Sequence, residues 1–361
     1  MSQLPSTSES RRTRFWGLAL CILAALGYST VNAFLRQLTV DCDRVLVILV
    51  KELVAVVLVG PWLAWHALRG RSMLPGGRVL LALALAGLMT QLCGNLPNLW
   101  VFSVIGLAVG VPLMSGTNLV ATALLGRVFL GERVSRMTLF AIGLLMVSVV
   151  LLGIASPRAG KAIRKDSTAS TTTTVSHPTE TQTVQNVADQ DSVSDQNLEE
   201  KSSFAWWWAI VAACTACVVG IVYAILVVVI RRNVTSETPA TAVVFLVTGM
   251  GVVSLGPWYV VDRGLNALVA VPITNLGLMG LAGLLNLMSF LAITKGLQWT
   301  PVARANMIMT SQVVLGTVAG VFLFAEPASW WLGLGACLTV AGMILIGREV
   351  QTEPETPETP I

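Results

Sequence analysis

Lys51 and Glu52 stand next to each other in a run that is apolar from Val45 to Trp65. An ionisable side chain inside such a run is costly unless it faces a partner or water. The pair therefore either ties helices together or handles a charged solute. Neighbours on a helix point about 100° apart, so the two need not pair with each other. Lys51 could then attract a carboxylate or another anionic group, and Glu52, the only acid well inside an apolar run, could carry a coupled proton. Gln91, Asn95 and Asn98 fall within about 60° of one another on a helix. Ser115, Asn118 and Thr122 form a similar stripe, and Asn306, Thr310 and Thr317 align within about 40°. Tyr28 and Asn32 lie one turn apart. Each such amide or hydroxyl could instead bond helix to helix, worth about 0.6–2 kcal/mol. Four stripes together favour the lining of a cavity, whose chemistry is reversible binding by hydrogen bonds, with Tyr rings as apolar walls.

Covalent and metal chemistry finds no support. The aspartates lie in loops or in a polar connector, His66 at the end of an apolar run and His177 in the connector. No Ser–His pair, no His–Glu metal set and no Gly-rich phosphate loop is available inside the apolar segments. The expectation is therefore no enzyme, no metal and no cofactor. Five of the six cysteines also sit in apolar runs, which makes a disulfide framework improbable. Cys214 and Cys217 have redox spacing but no adjacent base, and read as small packing residues.

Hydrophobic residues make up 55% of the chain and charged residues 12%, with a mean hydropathy of +0.76. Soluble domains carry about twice that charge. The apolar runs reach the roughly 20 residues that cross about 30 Å of hydrocarbon. The chain is read as an all-α integral membrane protein whose partner is the lipid bilayer. Its net charge of +4 comes from loop arginines and gives no support to nucleic-acid binding. No feature specifies an oligomer.

Ten spans are predicted. They run over 15–35, 45–65, 79–100, 107–130 and 137–154, then over 204–230, 240–261, 273–293, 302–324 and 330–346. This gives a tail over 1–14, a first unit over 15–155, a Thr/Ser-rich linker over 156–203 expected to be disordered, a second unit over 204–347 and a disordered tail over 348–361. Arg11, Arg12, Arg69, Arg71, Arg133, Arg136, Arg231, Arg232 and Arg348 fall on one side of this arrangement. The opposite short loops hold Arg36, Arg44 and Arg263. The rich side is expected to be cytoplasmic, with both termini inside a cell membrane crossed many times.

The two units match. Gly60-Pro61-Trp62 returns as Gly256-Pro257-Trp258, 196 residues on, and Leu85-Ala86-Gly87-Leu88 returns as Leu281-Ala282-Gly283-Leu284 at the same offset. Glu132 returns as Glu326, Tyr28 as Tyr223, and Asn118 aligns with Gln312. Units of five spans must enter the membrane with opposite polarity, which makes two mirror-related conformations similar in energy and supports alternating access. Lys51 and Glu52 align with Val247 and Thr248, so one half alone supplies the charge. Arg304 is a third candidate charge for the cavity. Pro112 and Pro301 mark places where helices could bend.

Phe129-Leu130-Gly131-Glu132-Arg133 and Phe324-Ala325-Glu326, each followed by a Gly-rich run, and the Gly27–Asn32 stretch resemble the EamA-type repeats of the drug/metabolite transporter superfamily. The resemblance implies a ten-helix secondary transporter of small organic metabolites, with both halves covered. Tyr28, Asn32, Lys51, Glu52, Gln91, Asn95, Asn98, Ser115, Asn118, Tyr223, Asn306, Thr310 and Gln312 are its candidate solute-binding residues. Glu132 and Glu326 are candidate gating residues, or helix-end groups that cap and bridge loops. An anion or zwitterion, such as an amino acid, fits the charges better than a bulky cation, and coupled protons are a further expectation. A channel, or a sensor or assembly protein built on a transporter fold, are the alternatives.

Overall fold

A computed structural model describes residues 7–70, 75–130, single positions over 140–152, 190–233, 239–264, 270–299, 308–309 and 311–349, with one further position at 266. The described residues form helices and no strand. In chain order these are α1 (Thr7–Asp41), α2 (Arg44–Leu68), α3 (Gly77–Met89), a π-helical turn (Thr90–Asn95), α4 (Leu96–Leu130), α5 (Gln190–Asn233), α6 (Ala240–Arg263), α7 (Ile273–Trp299), α8 (Ser311–Leu323) and α9 (Trp330–Glu349). Six stretches are long and apolar enough to cross a membrane, and α8 and α9 supply two shorter apolar helices. Leu53, Val57, Trp65, Val253 and Phe322 are exposed on the outside. Lys51, Glu52, Gln91 and Asn98 are buried. Apolar outside and polar inside is the distribution expected of a chain whose solvent is lipid.

Local chemistry sets the helix ends. Asp43 accepts hydrogen bonds from the amides of Val45 and Leu46, at 2.9 and 3.2 Å, and so caps α2. Gly264, with φ 72°, ends α6 in a conformation that favours glycine. α5 begins at Gln190, inside the stretch expected to be a disordered linker. Leu198 to Lys201 are helix-forming residues that run without Gly or Pro into the apolar segment, so the helix extends backwards. The rest of the linker, 156–189, lies outside the described residues, as does most of the expected fifth span. Of that span, Ser148 donates to the carbonyl of Gly335 at 2.6 Å and shares a hydrogen bond with Thr339, which ties it to α9.

The repeated triplets pack against each other's helices. A Cβ on Gly60 would meet the Phe245 ring at 3.2 Å, and one on Gly256 would meet Leu49 at 3.7 Å. Phe245 and Leu49 are themselves partners at the 196-residue offset. At the far end of the same helix pair, Asp43 binds Arg263 at 3.2 Å. The start of α2 therefore lies at the end of α6, and the two matched helices run antiparallel. The same exchange governs Gly87 and Gly283. The first approaches the Val247 Cα to 3.0 Å and the second approaches the Lys51 carbonyl oxygen to 2.6 Å, measured from a Cβ built on each.

The run from Gly77 to Thr122 is 46 residues long, too long for one crossing at about 1.5 Å per residue. It breaks at Gly106 (φ 79°, ψ 177°), not at Pro112, which sits inside the continuing helix. That backbone region is accessible essentially to glycine alone. The two amides that follow point at Glu326. Leu107 N–H donates to Oε1 at 2.8 Å and Ala108 N–H to Oε2 at 2.7 Å, so one carboxylate caps a new helix start. Arg36 Nε donates to the same Oε1 at 3.2 Å, and the two side chains are 6% and 1% exposed. Arg36, expected in a loop, is thus a buried residue of α1 whose guanidinium also lies over the Phe324 ring, 5.6 Å from its centroid. Ala325 turns the chain with φ 50°, which explains why a small residue precedes the glutamate in this motif.

Gly106→Ala should lower the unfolding midpoint of the purified protein in detergent, by a cost of about 1–3 kcal/mol from backbone strain alone, because its Cβ would also sit 2.5 Å from the Glu326 carboxyl carbon. Gly249→Ala, in α6 with nothing near its Cβ, should instead gain about 0.5–1 kcal/mol in the same thermal assay. Glu326→Ala strands a buried guanidinium and should cost about 3–5 kcal/mol.

Candidate functional site

The π turn is the first element of the site. Pro97 has no N–H to give the Cys93 carbonyl, and its ring crowds that carbonyl. The helix widens just before it, with the Leu96 amide reaching back to the Gln91 carbonyl. The wider turn presents Gln91 and Asn95 to the same space, where Asn95 Nδ2 donates to Gln91 Oε1 at 2.7 Å and to Glu52 Oε1 at 3.2 Å. Tyr223 of α5 donates its hydroxyl to Asn95 Oδ1 at 2.8 Å. Gln91 Nε2 donates to the carbonyl of Val247 at 3.2 Å. A Cβ on Gly251 would fall 2.9 Å from the Gln91 amide carbon and 3.0 Å from Glu52 Cγ, so α6 must be bare there for the cluster to close.

Lys51 and Glu52 do pair. Nζ lies 2.9 Å from Oε1, with the side chains 5% and 2% exposed. Long side chains can fold toward one another across the 100° step, and burial leaves them no water to prefer. The result is a hub in which α2, the π turn, α5 and α6 share one hydrogen-bond network. Tyr28 reaches it from α1 and lies within electrostatic range of Glu52. Asn98 Oδ1 is buried with no hydrogen-bond partner.

A cavity of about 660 Å³ opens at the end of the bundle where α2 begins and α6 ends. Its walls carry Trp100, Trp258 and Arg44, and an ion cluster in which Arg263 bridges Asp43 and Asp262 at 3.2 and 3.0 Å. Leu96 and Pro97 also line it, and they directly follow Asn95, so the vestibule and the hub meet at one turn of helix. At the opposite end α1 and α7 pack tightly. A Cβ on Gly296 would lie 2.8 Å from Cys21 Sγ, and Gly27 is in contact with Ser289.

Of the residues singled out by sequence, Tyr28, Lys51, Glu52, Gln91, Asn95, Asn98 and Tyr223 are brought to the hub or its edge. Asn32 is half-buried one turn along α1 from Tyr28. Ser115 and Asn118 lie further along α4, where Asn118 Oδ1 accepts from Thr122 on its own helix at 3.3 Å. Gln312 is half-buried near the start of α8. Glu326 sits in its cap on α4, apart from the hub. Glu132, Arg304, Asn306 and Thr310 lie outside the residues whose side chains are described. Arg36, Gly106 and Gly251 were missed. Arg36 had a signal, because it continues the Tyr28–Asn32 stripe by one more turn.

The sequence pattern of the EamA-like transporter family matches residues 15–154 and 208–348. Comparison with curated proteins gives no match. A solved structure titled "Crystal structure of protein" is 18% identical over 97% of this chain and 100% of its own, with a TM-score of 0.45, a likeness too slight to argue from. The two matched stretches take in most of the chain and both copies of its repeated unit: this multi-pass membrane protein belongs to the EamA-like transporter family, whose members are transporters and not enzymes.

Proposed function

We propose that the chain is a secondary transporter that carries a small organic metabolite, an anion or zwitterion such as an amino acid, across the cell membrane by alternating access between two inverted five-helix units. The observation that carries this reading is the hub: a buried ionic and amide network where helices of both halves cross. A scaffold would save free energy by filling that space with apolar side chains. A carrier needs polar groups there.

Other features support the same reading. The antiparallel packing of α2 on α6 is what an inverted repeat requires at its axis. One end of the bundle opens in a vestibule, and at the other α1 packs tightly on α7. The excess of arginine on the side away from the vestibule favours a cytoplasmic position for it and for both termini. In this reading Lys51 receives the solute's anionic group, and Gln91, Asn95 and Asn98 supply hydrogen bonds. Asn32, Ser115, Asn118, Asn306, Thr310 and Gln312 extend the path. The Arg36–Glu326 contact holds the vestibule end, with Glu132 as its counterpart in the other half.

The test is a metabolite panel with the purified protein in liposomes, with and without a pH gradient. Saturable movement of carboxylate-bearing solutes is expected. Unsaturable leakage would make it a channel, and no movement of any solute would favour a sensor or assembly role. Lys51→Met should reduce movement of carboxylates at least about tenfold, equivalent to about 1.4 kcal/mol, measured as initial uptake at equal protein density. Tyr223→Phe removes one hub bond. It should raise the KM for transport while costing only about 0.6–2 kcal/mol of stability.

A further inference from the structure

We infer that Lys51 and Glu52 form a charge-compensating solute site, in which the solute's anionic group takes the place of Glu52 on Lys51 and Glu52 takes up one proton when the solute brings one net negative charge. This rests on the transporter reading and gives it a coupling rule. A monoanion travels with one proton and a zwitterion with none.

The geometry points to an anionic group as the one that enters. Lys51 has three N–H donors, and one of them faces Glu52 Oε1 at 2.9 Å. That oxygen already receives both Lys51 and Asn95. Among the other hub groups, Gln91 is committed to Val247 and Asn95, and Asn95 to Glu52 and Tyr223. Donors on Lys51 are therefore what the pair has to spare, and an acceptor fits them. Asn98 Oδ1, buried without a donor, is a further acceptor for a solute O–H or N–H.

Charge balance then fixes the proton. The resting pair is neutral. A carboxylate on Lys51 leaves the buried site with one excess negative charge, which the low-dielectric surroundings penalise heavily. An O–H bond formed on the Glu52 carboxylate, with the proton drawn from the compartment that supplied the solute, restores neutrality. The bond breaks when the solute leaves on the other side, and no electron changes hands. A zwitterion needs no such step, because its ammonium takes the vacated Glu52. The titratable groups that face Glu52 are Lys51 on its own helix, Tyr28 from α1 and Tyr223 from α5. The π turn presents only the neutral amides of Gln91 and Asn95. The phenols carry no charge at neutral pH, which leaves the proton to Glu52.

Liposomes holding the full chain and a trapped pH dye are challenged with radiolabelled monocarboxylates (lactate and 3-hydroxybutyrate), amino acids (alanine and phenylalanine), amines and neutral sugars. Each monocarboxylate that enters should acidify the lumen proton for molecule and leave the membrane potential unchanged. Each neutral amino acid that enters should leave the lumen pH unchanged. In the wild type, monocarboxylate affinity should fall as the pH rises, because a proton is bound with each anion. In Glu52→Gln that dependence should vanish and any remaining anion movement should carry charge. Because that variant leaves Lys51 without its partner, Lys51→Gln/Glu52→Gln gives a second reading: with both charges gone, anion and proton movement should be lost together. Anion entry without protons in the wild type, proton entry with alanine, or proton-coupled anion entry in either variant would overturn the inference. So would movement of amines or sugars alone, which leaves the transporter reading standing. Failure of every solute overturns both.

Discussion

A carboxylate inside hydrocarbon survives only if donors surround it, and Glu326 and Glu52, both buried, meet that need in opposite ways. Glu326 is saturated. Two backbone amides at a fresh helix start, and a guanidinium from another helix, occupy its oxygens at 2.7–3.2 Å. Both the amides and the helix dipole are fixed features of the backbone, so nothing about that site can vary without opening the break at Gly106. Glu52 is held by one neighbouring ammonium and one side-chain amide. Both partners are rotatable side chains, and both can turn to something else. The first arrangement suits a joint and the second suits exchange.

The fold gives the exchangeable pair its setting. α2 and α6 descend from the same unit and pack antiparallel, with glycines of each meeting bulky residues of the other at equivalent places. Backbone packing of this kind is symmetric, because close approach needs only the absence of a side chain. The chemistry is not symmetric. Val247 stands where Lys51 has its counterpart, and it contributes its carbonyl oxygen to Gln91 instead of a charge. One half supplies ions and the other supplies backbone and a bare glycine face. A solute with distinct ends suits such a site better than one with matching ends.

Much of this was legible in the residues. The repeated Gly-Pro-Trp triplet marked two helices that do pack together, since Pro and Trp are uncommon enough for their recurrence to carry information. The amide stripe at Gln91 and Asn95 was legible because helical periodicity alone puts them on one face, and the π turn only brings them closer. Other features were hidden for physical reasons. Periodicity describes where side chains leave the backbone and not where they end, so the Lys51–Glu52 contact, made by the tips of two flexible chains, was unreadable. Arg36 was placed in a loop because charge is the usual sign of a span's end, whereas its actual partner lies 290 positions away. The break at Gly106 depends on the same distant carboxylate, and nothing near Gly106 announces it.

The hub's self-sufficiency has a consequence for affinity. In the cluster the amides and the Glu52 oxygen that meets Lys51 are already engaged, so a solute that displaces them gains only the difference between its own contacts and those it breaks. On the proposed reading this keeps binding modest, in keeping with a carrier that must release its load on the far side as readily as it accepts it. The same exchange argues against an ion-conducting pore, because breaking the Lys51–Glu52 contact without replacing it leaves two buried charges uncompensated, a state several kcal/mol above the resting one. On the proposed reading, passage is thus favourable only when a solute brings the missing partners with it. In that same reading, the vestibule with its mixed-sign mouth is where solutes enter, and the hub selects those that can close the network they have opened.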